Sequence, residues 1–306
     1  MTRFACSIAT FSILFLAIPC HAQKLPGTFP GKRVSFSSKA PAVQSATFTR
    51  MPSTEGQRIE QSTRSKSNLQ TTYQQSGQVI SSDSKNETTR QRRLVTVLET
   101  QAQSGAIAVQ VTYQSATKKT RAGFLARPKP QPVAGKSYIV ERVGDELAVT
   151  YPDGSPPPPA ELGIVKVTMQ SVGKPNPLAN FLDGRTVRLN EVLTLPKEVG
   201  DELLGAWLGK DALPVTIKMV KVQNLTTATG SEPAATFEIQ MSCRNADGEP
   251  TVSSSGQIIV GILNCRTLNL KMAANVDLTE QRGPDSASFT VVNVGNVEME
   301  MSASYR

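Results

Sequence analysis

The chain has 306 residues, 33 Lys and Arg against 25 Asp and Glu, a formal net charge of +8, four cysteines and a single histidine. That histidine, His21, falls inside a stretch that reads as a cleaved leader, so imidazole is excluded from the mature protein, and with it Ser-His-Asp triads, Cys-His dyads and His-containing zinc sites. The positive excess is spread thinly, densest at "RQRR" (90–93) and "KKTR" (118–121), with none of the interleaved aromatics that single-strand binders stack on bases; nucleic acid is excluded as a partner.

Residues 1–22, "MTRFACSIATFSILFLAIPCHA", have the form of a secretory signal: Arg3 in the n-region, an apolar core from Phe11 to Ile18, and an exit ending at Ala22. The apolar run is shorter than the roughly 20 residues of a membrane span, and no later segment comes nearer. The reading is export to the periplasm or beyond, with no transmembrane span in the mature chain. Losing the leader also removes Cys6 and Cys20, leaving Cys243 and Cys265 as a candidate disulfide in an oxidising compartment. With Arg3 gone, 32 basic residues face 25 acidic ones, which suits solubility or weak attraction to an anionic envelope polymer.

Residues 23–44 are punctuated by Pro and Gly without periodicity and read as a tether; residues 45–306 read as one β-rich domain of two halves joined near 153–160. Ser53 to Arg93 is rich in Ser, Thr, Gln and Arg, and predicts long solvent-facing strands turning at "QQSGQV", with a disordered arm as the alternative. In "AIAVQVTY", Ile107, Val109, Val111 and Tyr113 share one face, the period of a half-buried strand. "SYIVERVGDELAVTY" predicts a hairpin turning at Gly144–Asp145, with Leu147, Val149 and Tyr151 on one face. The proline run 156–159 is a stiff connector that leads into a helix ending before Lys174–Pro175.

In "NPLANFLDGRTVRLNEVLTLP" (176–196) the residues predict a helical turn over Pro177 to Leu182, a stop at Asp183–Gly184, a strand through Val187 and Leu189, and a turn at Asn190–Glu191. "PKEVGDELLGAWLGKD" then places Val199, Leu203, Leu204, Trp207 and Leu208 on one helical face, and Leu203, Leu204 and Trp207 are the candidate lining of a groove. Alternation returns at Val215–Met219, at Ala235–Cys243, at Leu268–Val276 and at Val297–Tyr305, the last with Glu298, Glu300, Ser302 and Ser304 on its wet face. The expected fold is mainly β, an antiparallel barrel, half-barrel or sandwich with two or three short helices.

Motifs for chemistry are sparse. There is no "GxSxG"; two S-x-x-K matches, at Ser115–Lys118 and Ser171–Lys174, lack the partner motifs that give them meaning. Asp153, Asp183 and Asp247 each precede Gly, which is turn chemistry, and "NADGE" (245–249) lacks the spaced ligands of a calcium loop. "GAWLGKD" has the wrong spacing for a phosphate loop, and no cofactor is implied.

The order "GKSYIVERVGDELAVTYPDG", "NPLANFLDGRTVRLNEVLTLPKEVGDELLG", "AATFEIQMSC", "SSGQIIVGILNCRTLNLKM" is similar to a group of uncharacterised exported bacterial proteins, over about residues 135–272. Their pattern usually carries Gly at the turn where this chain has Asn190, a residue that also tolerates positive φ. The resemblance implies a β-rich exported protein and carries no catalytic residue. The function expected is a non-enzymatic binding or interaction module. The alternatives are a carrier of an apolar ligand held between curved sheet and helices, and a hydrolase working through carboxylates alone.

Overall fold

A computed structural model describes residues 44–101, 105–120, 127–204, 215–227, 230–244, 250–282 and 289–306. The leader, the tether up to residue 43, "NADGE" and Trp207 lie outside them. The elements in order are β1 (Ser45–Thr47), β2 (Arg58–Gln75), β3 (Gln78–Gln101), β4 (Gly105–Thr120), β5 (Lys129–Pro130), β6 (Ser137–Val143), β7 (Glu146–Thr150), α1 (Pro159–Thr168), α2 (Pro177–Leu182), β8 (Thr186–Arg188), β9 (Val192–Thr194), α3 (Lys197–Leu204), β10 (Thr216–Thr227), β11 (Gly230–Arg244), β12 (Pro250–Gly261), β13 (Thr267–Arg282) and β14 (Phe289–Tyr305). No helix among the described residues is long and apolar enough to cross a membrane.

The protein is mainly β. One twelve-stranded sheet runs β7-β6-β4-β3-β2-β14-β13-β12-β11-β10-β9, with β5 paired to β4, and every pairing is antiparallel. Of the expected forms the sheet takes an open one: β7 and β9 are its edges and it does not close into a barrel. Two meanders, residues 58–150 and 192–305, meet where β2 pairs with β14 from Ile59↔Tyr305 to Gln74↔Thr290. Gly295 lies in this seam, where a Cβ would come within 1.9 Å of the Asn68 carbonyl oxygen. Only glycine allows the backbones to approach that closely.

The polar stretch is strand from Arg58 onward, not a disordered arm. Its turn at Ser76–Gly77 has φ of 52° and 76°, the paired positive φ that closes a tight hairpin. The hairpin at Gly144–Asp145 forms as the alternation predicts, joining β6 to β7. Pro177 opens α2, where the Asn176 side chain accepts from the Ala179 N–H at 3.0 Å. Asn190 takes φ 68°, the left-handed conformation its side chain tolerates.

Two buried clusters lie under the helices, one on each half of the sheet. The first joins Val95, Val109, Val111, Tyr113, Tyr138, Val140, Leu147 and Val149 to Val165 and Met169 of α1. The second joins Phe48, Leu178, Leu182, Val187 and Val199 to Ile217, Met219, Phe237, Ile239, Ile258, Met272, Met299 and Met301. Burying each such aliphatic or aromatic side chain contributes about 1.5–3 kcal/mol.

The expected bond between Cys243 and Cys265 is not formed. Cys265 is a buried free thiol in the turn after β12, pushed up to about 11 by burial, with the Asp183 charge adding to the shift. The register explains this: Gly261, at the Cys265 end, faces Ala234, whereas Cys243 faces Val252. The strand from Ala234 to Cys243 spans about 30 Å, far beyond the roughly 7 Å between Cα atoms that a disulfide bridges.

Candidate functional site

The densest basic run in the sequence is divided by the pleat of β3. Arg90 and Arg92 are exposed on the outer face, while Gln91 and Arg93 point inward beneath the helices. Arg93 is 1% exposed, and among the described residues no carboxylate lies beside it. Its Nε donates to Gln61 Oε1 at 2.8 Å and its Nη1 donates to the Thr168 carbonyl at 2.8 Å. Thr168 ends α1, so the guanidinium satisfies a carbonyl that the helix leaves open and meets the negative end of its dipole. Burial pulls the guanidinium below its usual range, against the opposing influence of Tyr113. The Tyr113 hydroxyl is bonded to Thr168 Oγ1, and burial pushes its titration up, opposed by Arg93.

At the other end of α1, Glu161 sits in the first turn and is 5% exposed. Its Oε1 accepts from Lys136 Nζ at 2.5 Å; its Oε2 accepts from the hydroxyls of Tyr138 and Tyr151, both at 2.6 Å. Burial alone would raise this carboxyl, but the three hydrogen bonds from Lys136, Tyr138 and Tyr151 outweigh it and hold the group at about 2. Hydrogen bonding to Glu161 raises Lys136 and Tyr151; burial first, then Glu161, raises Tyr138. The rings form a chain between the two ends of the helix: Tyr113 meets Tyr138 edge-on at 5.9 Å, and Tyr138 stacks on Tyr151 at 5.3 Å. Beyond the helix, Arg142 donates to the carbonyls of Val172, Gln170 and Asp145 at 2.6, 2.7 and 2.9 Å.

This network anchors a helix and leaves little for proton transfer. A carboxyl at about 2 stays ionised near neutral pH and has no proton to give, and its oxygens already hold three donors. Of the other acids singled out in the sequence, Asp247 lies outside the described residues and Asp153, Asp183, Glu298 and Glu300 are engaged in structure. Asp153 accepts from the Ser155 N–H and hydroxyl at 2.9 and 2.6 Å, and Asp183 accepts from the Arg50 N–H at 2.8 Å. Glu298 and Glu300 form outer-face ion pairs with Lys66 and with Lys271. Ser115 and Lys118 are set on opposite faces of β4, Ser115 across from Arg92 and Lys118 across from Thr89, with Lys118 Nζ 2.9 Å from Glu87; they do not form a nucleophile–base pair. Leu203 and Leu204 end α3, but their side chains, like Trp207, lie outside the described residues. No group of three metal-ligating side chains occurs among the described residues.

Glu161 and Arg93 were not among the candidates read from the sequence. For Arg93 a signal was present: Val95 and Val97 set the inward phase of β3, and stepping back by two puts Arg93 and Gln91 on the same face. For Glu161 the partners come from β6, its preceding turn and the end of β7, and nothing local announces them.

No family model matches the chain and no curated protein matches it. Among solved structures, it is similar to lipovitellin in a study of lipid–protein interactions, at 7% identity and a TM-score of 0.35, over 83% of this chain and 26% of that one. It is also similar to a protein from Bacteroides fragilis NCTC 9343 described as a candidate exported protein with a YmcC-like fold, at 10% identity and a TM-score of 0.22, over 82% of this chain and 97% of that one. The chain thus spans about a quarter of the lipovitellin chain.

Proposed function

We propose that the protein is an exported, non-enzymatic binding module of the cell envelope that works through the surface of its sheet. One observation carries the reading: Arg93 and Glu161, the buried charged side chains among the described residues, are committed to holding α1, while the opposite face of the long strands presents charged and hydroxyl side chains to solvent. The leader-like N-terminus supplies the export part of the reading. The test is photocrosslinking in the native compartment, with a photoreactive residue placed in turn at Ser62, Thr88 and Thr117 on that outer face. Discrete adducts of reproducible mass are the expected result; none at any of the three positions overturns the reading.

A second reading, a carrier of an apolar ligand, draws on Met241, Met272, Met299 and Met301, which sit together in the apolar cluster of the second half. Methionine adapts to ligands of varied shape. Native mass spectrometry of protein taken from its own compartment decides it: a co-purifying lipid supports the carrier and a ligand-free mass removes it.

A further inference from the structure

The outer face of β2, β3 and β4 has an arrangement that stability alone does not favour. The register sets Arg64 directly opposite Arg90, flanked on β4 by Thr117; one step along, Lys66 faces Thr88, which faces Lys119; one step the other way, Ser62 faces Arg92, which faces Ser115. Directly opposed residues of an antiparallel pair lie about 4.5–5.5 Å apart at Cα, and like charges placed so repel and destabilise the sheet.

The acids nearby are shared among other cations, and of the two opposed arginines only Arg64 has one, Glu300, directly across from it on β14. Glu60 binds Arg92 and also lies 3.6 Å from Arg306, and Glu298 lies 3.0 Å from Lys66. Glu300 is divided between Arg64, 3.7 Å from its Oε2, and Lys271, 3.2 Å from its Oε1. Arg90 has no acidic partner among the described residues. Its neighbours on this face are Arg64, Arg92, Thr88 and Thr117, so every adjacent group is a cation or a hydroxyl.

We propose that this patch binds the phosphate or sulfate groups of a linear polyanion, with Arg64 and Arg90 gripping one anionic group between them. Paired guanidiniums match the geometry of such oxyanions, and the hydroxyls of Thr88 and Thr117 add donors. The cations recur about 7 Å apart along each strand, which suits a chain of repeating charges. The exposed large apolar side chains, including Val79, Ile80 and Val294, are not among these residues, so the patch has no wedge for a bilayer, and it has no aromatic ring on which a base would stack. The inference deepens the reading of a binding module and rests on it.

The test uses the full mature chain and long-chain sodium polyphosphate, titrated over a range of salt concentrations, with phosphatidylglycerol vesicles as a second arm. The wild-type protein is expected to bind polyphosphate with an affinity that falls as salt rises. Arg90→Gln is expected to weaken binding by about tenfold and flatten the salt dependence, with a thermal midpoint equal to or above that of the wild type. Lys221→Gln, which removes the same charge from the far edge of the sheet, is expected to leave binding nearly unchanged. The proposal is overturned if wild type does not bind polyphosphate, if Arg90→Gln binds as wild type does, if Lys221→Gln costs as much as Arg90→Gln, or if only vesicles are bound. In each of these cases adducts at Ser62, Thr88 or Thr117 would still support a binding module with a different partner.

Discussion

The two halves of the sheet are covered by helices in different ways. In the first half, α1 is held at its start by Glu161 and at its end by Arg93, both buried, with tyrosine rings between them. In the second half, α2 and its neighbours rest on Phe237, Ile217, Met219 and Ile258, and none of the described residues there is a buried charged side chain. Phe48 meets Phe237 there at 5.7 Å. Apolar packing accepts many small shifts of a helix, whereas hydrogen bonds at both ends accept only one position. The first half therefore fixes where its helix lies at the cost of burying charge, whereas the hydrogen bonds that place α2, from Arg50 to Asn180 and Asp183, are exposed and bury none.

The largest effect belongs to the apolar half. Phe237→Ala is expected to cost about 4 kcal/mol, by the same amount at pH 7 and at pH 3, as denaturant titration at the two pH values would show. Glu161→Ala is expected to cost about 3 kcal/mol at pH 7, since it leaves the Tyr138 hydroxyl without its acceptor. Here pH matters. The folded carboxyl is held at about 2, below the ordinary carboxylate range, so its contribution is complete above that range and is lost as pH falls toward 2. The penalty of Glu161→Ala should accordingly shrink on acidification while that of Phe237→Ala does not; equal pH responses would remove the contrast between the halves.

A third change affects both halves at once. Gly295→Ala places a Cβ against the Asn68 carbonyl oxygen in the β2–β14 seam and is expected to cost about 2 kcal/mol. Hydrogen exchange should then speed up in β2 and β14 before it does in β7 or β11. The smallest effect has the opposite sign: Arg90→Thr relieves the opposed arginines and is expected to raise stability by about 0.5 kcal/mol in a thermal melt. A loss of stability would mean that Arg90 has a structural partner.

The apolar half was easy to read in the sequence because its strands alternate cleanly. Phe237, Ile239 and Met241, and Met299, Met301 and Ala303, all follow the period of two that the pleat imposes. The hairpin turns were equally plain, since Gly144 and Gly77 take the positive φ their turns require. The polar half was legible only as strands. Its anchoring groups are brought together from Gln61, Arg93, Tyr113, Lys136, Tyr138, Tyr151, Glu161 and Thr168, across four strands and a helix, and no local period encodes such a meeting. The opposed arginines depend on register, which "RQRR" alone does not specify. The disulfide failed for a related reason: a cysteine in one strand and another in the turn after the next say nothing of which end of the hairpin each occupies.

The pairing of β2 with β14 also has a consequence for how the protein is made. The first long strand finds its partner only when the last strand has been synthesised, so each half must wait with one inner edge open. Contacts between such distant parts of a chain form slowly, and an unpaired long edge readily takes a strand from another molecule. A nascent chain is thus most exposed to misassembly just before the seventeen residues of β14 arrive, and cutting the chain ahead of Phe289 should yield aggregates instead of a shortened domain.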